Sequence, residues 1–126
     1  MPKKTILIVE DESDIVTALS IKLKSEGYNI FYACNGDDAI KLALTERPHL
    51  ILLDIALPNE DGFSVARKLR EHKSTVTIPV IFLTALASDE DREQAQRVGA
   101  ASFITKPFKW DHLMKTIHEI VSAGHS

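Results

Sequence analysis

Glu10 and Asp11, Asp54, Thr84 and Lys106 are polar residues that each follow a short apolar run. The clearest case is Leu50-Ile51-Leu52-Leu53, which stops abruptly on the carboxylate of Asp54. A run of large apolar residues without alternation reads as a strand buried on both faces, the habit of a parallel sheet covered by helices. In such sheets the ligand site lies beyond the carboxyl ends of the strands. Carboxylates converging there repel one another unless a cation neutralises them. Mg²⁺ fits that need, because it takes one or two carboxylates, a phosphate and several waters. A carboxylate is also a nucleophile that can form an aspartyl phosphate. Phosphoryl transfer requires the charge on three equatorial oxygens to be neutralised. Mg²⁺ would take one, Lys106 a second, and the Thr84 hydroxyl or a backbone N–H the third. The residue types therefore suit transfer of a phosphoryl group onto Asp54.

The rest of the chain supplies elements that can bring these residues together. Five strand-like runs alternate with five helical patterns. Thr5–Val9 forms the first strand, followed by a helix capped by Ser13 or Asp14, striped with Ile15, Leu19 and Leu23, and stopped by Gly27. Residues 28–33 give a second, less apolar strand nearer the sheet edge. Asn35 or Asp37 opens a second helix, buried through Ile40, Ala43 and Leu44 and ending near Pro48. After the central strand, residues 57–62 carry strong turn chemistry, and a third helix spans about 63–71. Residues 79–83 make the fourth strand. The fourth helix, about 88–98, offers only Ala95 and Val98 to a core. A fifth strand over 101–105 and a fifth helix over about 109–123 complete the series, the helix marked by Leu113, Ile117, Ile120 and Val121. Strict alternation predicts parallel βαβ units with right-handed crossovers, hence an α/β three-layer sandwich. With the most apolar strands central, and if the winding reverses at the first strand, the doubly wound, five-stranded parallel sheet has the order 2-1-3-4-5.

Bulk properties exclude several classes. A chain of 126 residues suits one domain, 1–126. Net charge is −3, which provides no footprint for nucleic acid or an anionic membrane. No apolar run approaches the roughly 20 residues of a membrane span, and the start carries no signal-peptide pattern. The single cysteine, Cys34, has no intrachain partner and reads as a packing residue in a reducing compartment. The expectation is a cytoplasmic protein with no membrane and no direct nucleic-acid partner.

Four motifs in order, Ile6–Asp11, Leu52–Asp54 with Leu57–Gly62, Phe82–Ala85, and Gly99-Ala100 through Lys106-Pro107-Phe108, closely resemble those of two-component response regulator receiver domains. The resemblance runs over essentially the whole chain and implies a flavodoxin-like fold. It implies that Asp54 accepts phosphate from a sensor histidine kinase or phosphotransfer protein. Asp11 would bind Mg²⁺ directly, Glu10 through water, and the Ala56 carbonyl would be a further ligand. Lys106, before a cis proline, would pair with the phosphoryl group. Thr84 and Phe103 would form a switch pair read by a downstream effector through the fourth helix, fifth strand and fifth helix. A phosphorylation-dependent homodimer through that face belongs to the same expectation.

Some positions depart from the commonest pattern of that family. Glu10 stands where Asp is more frequent, and Phe103 where Tyr is common, so a phenolic hydroxyl is lost. Ala56 is small and Leu86 apolar, both of which bear on water access to an acyl phosphate. Ala101-Ser102 replaces an acidic pair, which argues against the salt-bridged dimer of regulators with winged-helix domains.

Blander readings stand beside these. Glu12, Asp14 and residues 89–93 read as solvated helix N-termini favoured by the macrodipole. Asp61 reads as a turn residue, Trp110 equally as a partner contact or a plain exposed aromatic. His49, His72, His112, His118 and His125 lack metal-ligand spacing and read as surface residues. Two rival functions fare worse. A haloacid-dehalogenase-like phosphatase needs a second Asp two residues after the nucleophile, where this chain has Ala56. A nucleotide- or flavin-binding module needs a Gly-rich or uncharged turn after the first strand, and Glu10-Asp11-Glu12 is the opposite. A degenerate receiver, binding partners without phosphorylation, is the alternative to a phosphoacceptor that switches without turning over an external substrate.

Overall fold

Ile, Leu and Val dominate the strands because each central strand is covered on both sides. The structure, a computed structural model, describes residues 3–123. Its elements are β1 (Thr5–Val9), α1 (Ser13–Ser25), β2 (Asn29–Ala33), α2 (Gly36–Glu46), β3 (Leu50–Leu53), α3 (Gly62–Arg70), β4 (Val80–Thr84), α4 (Asp89–Arg97), β5 (Ser102–Thr105) and α5 (Trp110–Ala123). The sheet order is β2-β1-β3-β4-β5, and every pairing is parallel. This is the doubly wound three-layer arrangement that the alternation predicts.

Successive strand residues point to opposite faces, so each strand feeds two cores. Leu7, Val9, Ile51, Leu53, Val80 and Phe82 face Ala39 and Ala43 of α2, Val65, Ala66 and Leu69 of α3, and Ala95 of α4. Ile6, Ile8, Leu50, Leu52, Ile81 and Leu83 face Leu19 and Leu23 of α1 and Leu113, Met114, Ile117 and Val121 of α5. All of β3 and β4 is buried, whereas the edge strand β2 is largely accessible.

Helix ends follow local chemistry, with corrections to the sequence reading. Asn35 caps α2 by accepting the Asp38 N–H at 2.9 Å, and Asp61 caps α3 by accepting the Ser64 N–H at 2.8 Å. Ser88 and Asp91 form a reciprocal capping box on α4. Neither Ser13 nor Asp14 caps α1. Glu12 holds that position without a side-chain cap bond, and its backbone N–H donates to the Glu10 carboxylate. In α2, Leu42 rather than Leu44 joins Ile40 and Ala43 at the core. Cys34 is exposed, not packed, because it lies one residue beyond the end of the edge strand β2. His125 lies outside the described residues.

His49 closes the start of the sheet. The Thr5 N–H donates to His49 Nδ1 at 3.0 Å, and the His49 N–H donates to the Thr5 carbonyl at 2.8 Å. Nδ1 must therefore be unprotonated. Burial first, and then the nearby Lys4 charge, pull this imidazole below its ordinary value. A depressed folded value contributes stability that is present above the unfolded value and lost as pH falls through the folded one. Denaturant unfolding between about pH 7 and about pH 5 should therefore show stability falling on acidification, and His49→Gln should flatten that slope. Identical slopes in both proteins would remove His49 from the account.

Candidate functional site

The sheet register sets the site. Val9 pairs with Leu53, so the next residues, Glu10 and Asp54, emerge side by side at the carboxyl edge. Their backbones are fixed there: the Glu10 N–H donates to the Ala33 carbonyl and the Asp54 N–H to the Val9 carbonyl, both at 3.0 Å. Two strands further along, the Lys106 N–H donates to the Thr84 carbonyl at 2.9 Å, where β4 and β5 end. Lys106 precedes Pro107 through a cis peptide bond.

The side chains converge. Lys106 Nζ donates to Glu10 Oε1 at 2.5 Å and to Asp54 Oδ2 at 3.0 Å, and lies 3.9 Å from Glu12 Oε1. The Glu10, Asp54 and Lys106 side chains are only 3%, 6% and 11% exposed, so this is a desolvated ion triad. Burial is the largest influence on Glu10 and pushes its carboxyl up. The Asp54 charge adds to that, and the Lys106 hydrogen bond opposes it. For Lys106, burial alone would lower the ammonium, but its bonds and charge contacts with Glu10 and Asp54 outweigh that and raise it. Lys106 therefore stays charged at neutral pH. With both carboxylates ionised, one ammonium leaves the triad net negative, and Glu12 adds to the imbalance.

Glu10, Glu12 and Asp54 each place a carboxylate oxygen within 4.8 Å of the others. That all-oxygen, net-negative set suits a hard divalent cation. Asp11 is exposed and stands outside this group, so the structure brings Glu10 and Asp54 to one point and leaves Asp11 at its rim. Glu12, read from sequence as a solvated helix start, is both: 65% exposed, yet part of the acidic group. The signal was its position two residues past Glu10 in a tight turn. The turn itself is fastened by the Glu12 N–H, which donates to Glu10 Oε2 at 3.2 Å.

Asp54 Oδ1 accepts the Ala56 N–H at 3.1 Å, which turns the chain back over the site and leaves Ala56 exposed beside it. Thr84 is fully buried, and its Oγ1 accepts the Leu86 N–H at 3.2 Å. Among the described residues its hydroxyl is bonded to that loop and not to Asp54. Phe103 is half-buried, its ring 6.3 Å from that of Phe82, with the Arg92 guanidinium 4.8 Å above its other side.

The comparisons with known proteins agree with this geometry. The sequence profile of the response regulator receiver domain matches residues 6–118. The chain belongs to that family. It is 42% identical over 105 residues to the alkaline phosphatase synthesis transcriptional regulatory protein PhoP of Bacillus subtilis, which covers 83% of this chain and 43% of that protein. It thus spans less than half the length of that relative. A CheY-like receiver domain protein from Methanospirillum hungatei superposes with a TM-score of 0.92 at 28% identity, covering 98% of this chain and 97% of that one. The receiver domain of a signal transduction histidine kinase from Syntrophus aciditrophicus gives 0.87 at 35% identity, covering 95% and 91%. This receiver domain is accordingly a signalling module of two-component systems and not a classical enzyme. Among its described residues no helix is long and apolar enough to cross a membrane.

Gly62, the first residue of α3, was legible only as turn chemistry. It lies against the backbone of Asp54: a Cβ there would stand 2.3 Å from the Asp54 carbonyl oxygen and 2.9 Å from Ile55 Cα. Its N–H donates to the Ile55 carbonyl at 2.7 Å. Backbone cannot swing aside as a side chain can, so Gly62→Ala should cost roughly 3 kcal/mol. Urea denaturation of the variant is the check. An unchanged midpoint would show that the loop yields freely.

Proposed function

We propose that this chain is a phosphoacceptor, a single receiver unit in which Asp54 takes a phosphoryl group from a sensor histidine kinase or phosphotransfer protein in the cytoplasm. The observation that carries this reading is the buried Lys106 ammonium shared between Asp54 and Glu10. A purely structural carboxylate would not need a second buried acid beside it, nor an acidic group in excess of its cation.

Asp11, Asp54 and the Ala56 carbonyl would hold Mg²⁺, with Glu10 supporting it through water. Mg²⁺ supplies neutralisation of the phosphoryl oxygens when bound. Asp54 attacks the phosphorus with a carboxylate oxygen. A new O–P bond forms as the bond to the donor breaks, and the donor leaves with its electron pair. Lys106 sets a fixed positive charge against the charge that gathers on the transferred oxygens. The Thr84 hydroxyl, now bonded to Leu86, lies one loop away and would turn toward the phosphoryl group, drawing the segment before α4 with it. Phe103 would then move inward, so that the α4, β5 and α5 face presents a changed surface to an effector or to a second copy of the chain. Catalysis is limited to this self-modification and its slow reversal.

Incubation with acetyl phosphate and Mg²⁺ followed by intact-mass measurement tests the reading. The wild type should gain one phosphoryl group; Asp54→Asn, or wild type with a chelator present, should gain none. Lys106→Met should retain Mg²⁺ binding and lose at least about tenfold in the rate of phosphorylation. No gain under any condition, with no Mg²⁺ binding, would replace the phosphoacceptor with a receiver that binds partners unmodified.

A further inference from the structure

The two ends of α4 are held very differently. At its start, residues 85–90 are exposed without interruption, and among the described residues this end is linked to the sheet by the bond from the Leu86 N–H to Thr84 Oγ1 and by the Arg92 guanidinium over the exposed side of the Phe103 ring. The helix itself buries only Ala95. Its far end is tied down by Arg70, the last residue of α3. Arg70 Nε donates to the Val98 carbonyl at 3.1 Å, and Nη2 to the Gly99 carbonyl at 3.3 Å. Both of these carbonyls follow the last turn of α4. On its other side, Nη1 donates to the carbonyls of Val76 and Ile78, each at 3.1 Å, in the connector that leads into β4. Four backbone carbonyls from two separate segments thus share one planar guanidinium. Gly99, at φ +74, turns the chain there, and the Ala101 N–H then joins the Val80 carbonyl at 2.8 Å.

The chemistry suits this task. Carbonyls at a helix C-terminus lack intrahelical partners and carry partial negative charge, which a cation satisfies. A guanidinium offers several donors in a rigid fork, whereas an ammonium is a point charge. Arg67 and Arg97 flank Arg70 around a cleft of about 670 Å³ between α3 and α4. Among the described residues neither bonds these carbonyls, so the side-chain tether rests on Arg70.

We propose that Arg70 is the pivot of α4: it pins the helix's C-terminal end to the α3–β4 connector, so that rearrangement on phosphorylation swings the N-terminal end beside Thr84. The proposal deepens the phosphoacceptor reading by naming the residue that directs the movement. Hinged motions concentrate their change in a few terminal residues while the bodies stay rigid. Here the fixed point is a side chain that touches neither the phosphoryl group nor Asp54. Arg70 is a positioning residue.

Amide hydrogen exchange tests this with wild type, Arg70→Lys and Arg70→Met, each with and without Mg²⁺ and acetyl phosphate. In the untreated Arg70→Met protein, amides of residues 95–101 should exchange at least about tenfold faster than in wild type, while those of β1 and β3 follow only the change in global stability. Arg70→Lys should fall between the two. In phosphorylated wild type, faster exchange should appear at residues 85–91 and not at 95–101. Equal acceleration in β1, β3 and 95–101 would reduce Arg70 to a general stabiliser. Phosphorylation that loosens 95–101 as much as 85–91 would overturn the pivot. If Asp54 takes up no phosphate, the phosphoacceptor reading fails separately, and the unmodified arms still decide whether Arg70 anchors the helix.

Discussion

Lys106 places one positive charge between Glu10 and Asp54, both of which the sheet has removed from water. Burying an unpaired carboxylate costs several kcal/mol, so these three groups can occupy one site only together. The geometry that permits it is the pleat and register of three strands. β1 and β3 are neighbours and deliver their acids side by side. β5 lies two strands from β3, so a residue at its end reaches Asp54 only with a long stem, past Thr84 at the end of β4. Lysine has that stem and brings a compact charge. A shorter cation, or a strand order that moved β5, would leave the carboxylates unpaired. The surplus of carboxylates over cations is the feature of the site that suits a divalent cation.

Around this edge the structure is rigid in proportion to burial. β1, β3 and β4 are sealed between α1 and α5 on one face and α2 and α3 on the other. Phe63 and Phe82, ring centroids 5.1 Å apart, fasten α3 to the sheet. α4 is the exception, with its exposed start and a single buried side chain. Motions that carry signals draw on the least stabilised elements, and the weakly held helix adjoins the strand that ends in Thr84. The same sheet therefore offers a fixed chemical edge and one movable wall.

Much of this was legible beforehand, for identifiable reasons. Buried parallel strands announce themselves as apolar runs, so Leu50–Leu53 and its neighbours were plain as central strands, and the sheet order followed once the winding was taken to reverse at the first strand. The polar residue after each run located the edge of the site. Loops were not legible to the same degree. Which of Glu10, Asp11 and Glu12 points into the site depends on how the chain turns after β1, and that turn is set by the bond from the Glu12 N–H to the Glu10 carboxylate. The sequence reading put Glu10 and Asp11 in the site and Glu12 in solvent; geometry gathers Glu10 and Glu12 and sets Asp11 at the rim. Arg70 was invisible for a different reason. Its partners are backbone carbonyls, which carry no residue signature, and they come from segments 28 and 29 positions later in the chain as well as from nearby ones.

Phe103 shows how a modest energy difference suffices at such a site. Its ring has an apolar neighbour inward, Phe82, and a cationic one outward, Arg92 on α4. With no hydroxyl, no hydrogen bond dictates which way the ring faces. An exposed cation–π contact is worth about 0.5–1 kcal/mol, whereas fully burying a Phe side chain gains about 1.5–3 kcal/mol. Inward movement must first lose the Arg92 contact and find room among residues that are already close-packed. On the proposed switch reading, an inward position would stand within a few kcal/mol of the observed one. A ligand or modification needs only about 5.5 kcal/mol of differential affinity to invert such an equilibrium almost completely. Arg92 belongs to the helix whose start is free and whose end Arg70 holds, so movement of that start carries the cation away from the ring and the ring from its outward partner. On the proposed switch reading, ring and helix would thus be two parts of one equilibrium, joined by the Arg92 contact.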